Sequence, residues 1–248
     1  MPDPLQRLIR GFESFRTTHF EGQSDLYRRL AREGQAPKVL MIGCSDSRVD
    51  PAIVTQAEPG DLFIVRNVAA LVPPYERDGR IKGTSSAIEF AVRGLGVEHV
   101  IVMGHALCGG VQALAAPGDP KSRRFEFVSD WMRVAAPARA AVDAACPDAP
   151  AAKRQRLLEE ATVMVSLGNL LGFPWIMQGV HERRLTLHGW YFDLVSGRLL
   201  AHDMRTGRFL PIGEEPMPLC RRPEPCPPAC DCAKAFAPEH FLRSGGAL

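Results

Sequence analysis

KVLMIGCSDSRVD, residues 38–50, begins as an unbroken apolar run and ends in a turn carrying a thiol, a carboxylate, a hydroxyl and a guanidinium within five positions. Short apolar runs closed by turn-prone residues are the pattern of strands buried on both faces, as in a parallel sheet. Cys44 therefore stands where a buried strand ends. Taken alone, Asp46 and Ser47 would do no more than cap a following helix, with Cys44 as a small core residue. The rest of the chain decides between these readings.

Two further runs, DLFIVRN (61–67) and HVIVMGH (99–105), repeat the pattern. Between them TSSAIEFAVRGLG sets Ala87, Ile88, Ala91, Val92 and Leu95 at helical spacing, with Gly94 or Gly96 to end the helix. Strand, helix, strand in this order predicts right-handed crossovers and an α/β fold, a central, mostly parallel sheet flanked by helices. Residues 122–172 read as two more helices, broken at Pro137 and at CPDAP (146–150). RRLTLHGWYFDLVSG alternates over Leu185, Leu187 and Gly189 as a strand does, and GRLLAHDM is its expected hairpin partner.

At the N-terminus, MPDPLQRLIRGFESF places Leu5, Leu8, Ile9 and Phe12 on one side of an amphipathic helix. Residues 1–33 are thus expected to form a helical arm, interrupted near Thr17–His19, and 34–212 the α/β unit. From Gly213 the chain turns rich in Pro and Cys, a composition unsuited to a helix or central strand, so 213–248 reads as a tail.

The 248 residues are 46% hydrophobic and 23% charged, as in an ordinary soluble protein, and the net charge of +2 gives no basic face for nucleic acid. The N-terminal helix lacks the continuous apolar core of a signal peptide, and no run reaches the length of a membrane span. A cytoplasmic, reducing location is the resulting expectation, with the seven cysteines as thiols or metal ligands. Cys220, Cys226, Cys230 and Cys232 have no histidine or C-x-x-C pair beside them and read as an oxidation-prone extension, not a second metal site. His181, His188 and His202 lack a cysteine at ligand spacing and read as surface or packing residues, and His99 as structural.

In an open parallel sheet, ligands gather outside the carboxyl ends of the strands. Cys44 closes the first run, and GHALCGG closes the third with His105 and Cys108. Either fragment alone is commonplace; two of them, each ending a predicted strand, converge as a zinc set. Two thiolates and an imidazole suit zinc, disfavour calcium or magnesium, and leave a fourth position open for catalysis. Asp46 and Arg48 form a charge-assisted pair that keeps the carboxylate ionised. Such an Asp either completes the zinc shell or, held off by Arg48, accepts a hydrogen bond from a zinc-bound hydroxide.

With these residues in hand, the chain resembles a β-class carbonic anhydrase. The family pattern, C-x-D-S-R followed by H-x-x-C-G, appears as Cys44, Asp46, Ser47, Arg48, then His105, Cys108, Gly109. PGDLFIVRNVAALVPPYE (59–76) and KGTSSAIEFAV (82–92) also resemble family segments in order and spacing, and the likeness runs from about Gly34 to Phe209. It implies one zinc per subunit on Cys44, His105 and Cys108, an Asp46–Arg48 dyad, and reversible hydration of carbon dioxide to bicarbonate and a proton. Zinc lowers the pKa of bound water from about 15.7 to about 7 in a three-histidine site of another carbonic anhydrase class, and two thiolates should raise it somewhat.

By the same resemblance Gln35 hydrogen-bonds substrate from across a subunit interface, Gly109 offers it a backbone N–H, and Phe63, Val68 and Phe90 line an apolar pocket. Ala106, Ala70 and Phe90 stand where the family usually has Ser or Thr, Asn, and Tyr, which removes hydrogen-bonding groups. Met41 and Phe192 replace the Trp and Tyr of a subtype that closes its zinc with Asp, and with Gln35 they imply the plant-like, open subtype. The family pairs its subunits around the active sites, so the resemblance implies a homodimer or a dimer of dimers, the N-terminal helix reaching to the partner. Two other activities fit the zinc set: hydrolysis of carbonyl sulfide or carbon disulfide, and non-catalytic sensing of bicarbonate.

Overall fold

The computed structural model describes residues 3–21, 25–115 and 125–213. The cysteine-rich tail lies outside the described residues. In chain order the elements are α1 (Pro4–Phe15), a π-helical turn (Arg16–Glu21), α2 (Asp25–Glu33), β1 (Val39–Cys44), α3 (Pro51–Thr55) and β2 (Leu62–Asn67). A 3-10 turn (Val68–Ala70) leads to α4 (Gly83–Glu89), which loosens into a π-helical turn (Phe90–Leu95) before β3 (His99–His105). Then come α5 (Gly109–Ala115), α6 (Phe127–Met132), α7 (Ala136–Ala145), α8 (Ala151–Leu171), α9 (Pro174–His181), β4 (Thr186–Asp193), β5 (Arg198–Asp203) and β6 (Arg208–Pro211).

The strands form one sheet in the order β2-β1-β3-β4-β5-β6, parallel through β4 and antiparallel thereafter. The apolar runs form the sheet centre because both faces are covered. Leu40, Ile42, Val100 and Val102 pack with Ile88, Ala91, Val163 and Ile176 on one face, and Met41, Ile101 and Met103 lie on the other. Burying each such side chain is worth about 1.5–3 kcal/mol. The α4 segment ends at Gly96, whose φ of +69° suits a residue without Cβ.

Helix α8 comes unusually close to the sheet. A methyl group on Gly104 would stand 2.6 Å from Val163 Cγ2, and one on Gly189 would stand 3.0 Å from Leu167 Cδ1. Glycine at these two strand positions lets the helix settle against β3 and β4. Its middle is then buried all round, including Glu159, Thr162 and Ser166. No single helix among the described residues is long and apolar enough to cross a membrane.

Three expectations need correction. Pro137 does not break a helix; it sits in the first turn of α7, where its missing N–H costs nothing. Residues 125–171 accordingly form three helices with a 3-10 turn (Arg133–Ala135) instead of two. Helix α9 and strand β6 come in addition, the latter pairing with β5 at the sheet edge.

The seating of α8 is open to test. Gly104→Ala should lose about 1–3 kcal/mol through overpacking. Gly11→Ala, on the exposed surface of α1 with nothing within 4 Å, should be neutral or slightly stabilising. Urea unfolding of both variants checks this; equal stabilities would contradict the close approach.

Candidate metal centre

Strands β1 and β3 are neighbours, yet the chain leaves them for opposite sides, β2 beyond β1 and β4 beyond β3. Their carboxyl ends form the switch point at which such sheets open a crevice. Cys44 ends β1, His105 ends β3, and Cys108 stands at the turn into α5. The two sulfurs and a ring nitrogen of His105 lie within 4.8 Å of one another, and all three residues are buried. These cysteines form no disulfide.

The donor set fits a cation. His105 Nδ1 donates to the Ala106 carbonyl at 2.9 Å, which leaves a lone pair on Nε2, a buried atom with no hydrogen-bond partner. A hydrogen bond from Cys108 pulls the Cys44 thiol well below its usual range, helped by the N–H groups of Asp46 and Ala69 and opposed by burial. Cys108 is pushed up, by its hydrogen bond to Cys44 and by burial, although the Gly110 and Val111 N–H groups point at its sulfur. The opposite directions describe one shared proton. A cation bound there would displace that proton.

Asp46 and Arg48 meet two-pronged, Nε to Oδ1 at 2.9 Å and Nη2 to Oδ2 at 2.7 Å, with the Arg48 N–H also on Oδ1 at 3.0 Å. These bonds hold the Asp46 carboxyl well below the usual carboxylate range. Arg48 Nη2 also reaches the Leu107 carbonyl at 3.2 Å. Capping falls to Asp50, whose Oδ1 accepts from the N–H groups of Ala52 and Ile53 at the start of α3.

Three residues without glycine's freedom have left-handed backbone around the centre: Ala69, Ala70 and Leu107, with φ of +66°, +54° and +59°. Such conformations are costly and persist where the surroundings impose them. Asn67 closes the first turn by exchanging two 2.8 Å bonds with Leu71. Ser166 of α8 accepts from Val72 N–H and donates to Ala70 carbonyl, while Trp131 Nε1 donates to Val68 carbonyl. Helix α5 starts flush against this turn, since a methyl on Gly110 would stand 2.7 Å from Val68 Cγ1.

The single chain gathers Cys44, Asp46, Arg48, His105 and Cys108 at one place, with Val68 packed beside them and Gly109 at the exposed start of α5. It does not gather the remaining sequence-derived residues. Gln35 is exposed beyond the far end of β1. Phe63 pairs with Leu40, four residues short of Cys44, or about 13 Å along the strand. Phe90, half exposed, stacks on Phe63 with ring centres 5.8 Å apart. Elsewhere His99 and His188 face each other at 3.2 Å, and His202 packs on Phe209.

Two contributors escape a reading of the sequence. Arg66, in register with Gly43, donates to the carbonyls of Cys44 (2.9 Å) and Asp46 (2.7 Å) and pairs with Asp50 at 2.6 Å. Glu159, from α8, accepts the Cys108 N–H. The only local signal for Arg66 is a charge inside an apolar strand; Glu159 has none.

The family model described as carbonic anhydrase matches residues 39–199. The chain is 38% identical over 212 residues to a carbonic anhydrase of Pseudomonas aeruginosa, covering 86% of this chain and 94% of the relative. It is 36% identical over 196 residues to beta carbonic anhydrase 3 of Arabidopsis thaliana, covering 79% of this chain and 75% of the relative. Among solved structures, the β-carbonic anhydrase CcaA superposes with a TM-score of 0.80 at 33% identity, over 85% of this chain and all of that one.

Protein dialysed against metal-free buffer should retain one zinc per chain by atomic absorption, and Cys44→Ala and Cys108→Ala should retain little. Full occupancy in either variant would place the metal elsewhere.

Proposed function

The chain belongs to the β-class carbonic anhydrases, and from that premise we propose how its residues perform the reversible hydration of carbon dioxide to bicarbonate and a proton. The observation that carries the reading is the buried Cys44–His105–Cys108 cluster beside a carboxylate tied two-pronged to Arg48. Those three residues would hold zinc, which when bound would supply a Lewis acid able to bring a water's pKa toward neutrality. Arg48 keeps Asp46 ionised, so that its oxygens accept a hydrogen bond from the attacking oxygen without taking its proton. Val68 and the apolar cluster around the cysteines keep the reacting carbon dioxide from bulk water. Gly109, at the exposed start of α5, is assigned to offer its backbone N–H to the product's oxygens. This is the open, plant-like arrangement.

Gln35, Phe63 and Phe90 lie too far from the chain's own cluster, and we assign them to the pocket of a second subunit. Helix α1 supports this assembly. It buries no residue within the chain, and Leu5, Leu8, Ile9 and Phe12 are 41–66% exposed along one side. In a homodimer, or a dimer of dimers, the arm 1–33 covers the partner while 34–212 forms the catalytic unit. A cytoplasmic location suits the site, because the Cys44 and Cys108 sulfurs, within 4.8 Å, need a reducing compartment to stay apart.

Stopped-flow hydration of carbon dioxide should be rapid for the zinc-loaded protein and absent in Cys44→Ala. Asp46→Asn, still metal-bound, should lose on the order of a hundredfold or more in kcat. Equal rates in wild type and Cys44→Ala would sink the reading; sulfide release from carbonyl sulfide outpacing hydration would favour a hydrolase. Leu8→Glu with Phe12→Glu should shift the sedimentation coefficient toward the monomer and lower activity together. A fully active monomer would contradict the shared pocket.

A further inference from the structure

One peptide group at the centre is gripped from both ends. The carbonyl of Leu107 accepts from Arg48 Nη2 at 3.2 Å, and the N–H on the other side of the same peptide bond, that of Cys108, donates to Glu159 Oε1 at 3.1 Å. Leu107 stands at a φ of +59°, a conformation that leucine does not hold unaided. The orientation of this peptide fixes where the Cys108 side chain starts. Cation and carboxylate pull on it in opposite senses.

Glu159 is built in firmly for a carboxylate that is 3% exposed. Its Oε1 also accepts from Gln155 Nε2 at 2.7 Å, and its Oε2 accepts from the Tyr191 hydroxyl at 2.8 Å. Tyr191 is itself buried in β4, with the Arg156 guanidinium 4.7 Å over its ring. The carboxylate is thereby anchored to α8 and β4, and only one of its bonds faces the centre. Val163, one turn further along α8, is the residue seated against Gly104, so the depth at which α8 lies in the fold sets the reach of Glu159. Burying a carboxylate is costly, and the hydrogen bonds to both Glu159 oxygens offset that cost while fixing the group and its partners in one geometry.

We propose that Glu159 is the positioning residue for the metal ligand Cys108, holding the Leu107–Cys108 peptide against Arg48 so that the sulfur is presented in ligating geometry. The proposal rests on reading Cys44, His105 and Cys108 as one metal set. Carboxylates that orient ligands from behind are worth about 10- to 100-fold in metal affinity. Here the carboxylate acts on the backbone of the ligand and not on its donor atom.

The test is zinc affinity by competition with a chromophoric chelator, together with the thiolate-to-metal charge-transfer band of the cobalt-substituted protein, for folded variants verified by circular dichroism. Glu159→Ala should bind zinc about 10- to 100-fold more weakly and change the band. Glu159→Gln keeps an oxygen for the Cys108 N–H and turns its amide to the Tyr191 oxygen, so it should recover affinity to within about threefold of wild type. If Glu159→Ala does not fold, Glu159→Asp decides, since it retains the charge but falls short of Cys108 and should weaken binding. Wild-type affinity and spectrum in Glu159→Ala, or in Glu159→Asp where that variant decides, would overturn the proposal, as would equal losses in the Gln and Ala variants. Neither readout involves carbon dioxide. A wild-type protein that binds zinc but hydrates nothing would defeat the functional reading and leave this one standing.

Discussion

Where the chain leaves two neighbouring parallel strands for opposite sides of the sheet, a gap opens at their carboxyl ends, and in it Cys44, His105 and Cys108 meet within 4.8 Å. Everything else at the centre serves to keep this gap dry and its donors aimed. Two thiols and an imidazole with an unpartnered nitrogen are an unfavourable thing to bury by themselves. Cys44, Cys108 and His105 Nε2 would hold a cation, which would take the place of the proton between the sulfurs. The helical cap from α5 to α8 excludes water from one side of the cluster. The Asp46–Arg48 pair, with the arginine side chain half exposed, marks the side left open.

The centre holds its shape through strain that is imposed from outside. Left-handed alanines at 69 and 70 and a left-handed leucine at 107 flank the ligands. Their turns are closed by Asn67, Ser166, Trp131, Arg48 and Glu159, side chains drawn from β2, α8, α6 and the loop after β1. Helix α8 contributes two of these, which is why its close seating over Gly104 and Gly189 matters for chemistry as much as for packing. Strain placed around reacting groups and compensated by distant residues is a recurring way to preorganise a site.

Much of this was legible in the sequence, for identifiable reasons. Strands buried on both faces must be continuously apolar, so β1, β2 and β3 announced themselves, and residues directly beyond a strand end inherit its position. That is why Cys44 and His105 could be brought together from positions 61 residues apart. Pro137 was misread because proline signals a break and a first turn equally well. Strand β6 is short and sits at an edge, where alternation carries little signal. Arg66 leaves only a charge inside an apolar strand and Glu159 no local pattern at all, because their roles depend on register and on the depth of a helix. Gln35, Phe63 and Phe90 form a different case, since they came from a family likeness and the isolated chain places them away from its own cluster.

Two strand ends would supply two sulfurs and one nitrogen to a single zinc and leave one position for a water. Zinc-edge X-ray absorption on the purified protein near neutral pH tests it most directly. Two sulfur neighbours at about 2.3 Å and two lighter ones at about 2.0–2.2 Å are expected, one of the latter an imidazole nitrogen. The lighter shell should lose its non-imidazole member when a competing anion such as sulfide is added. A four-sulfur shell, or a shell without sulfur, would contradict it.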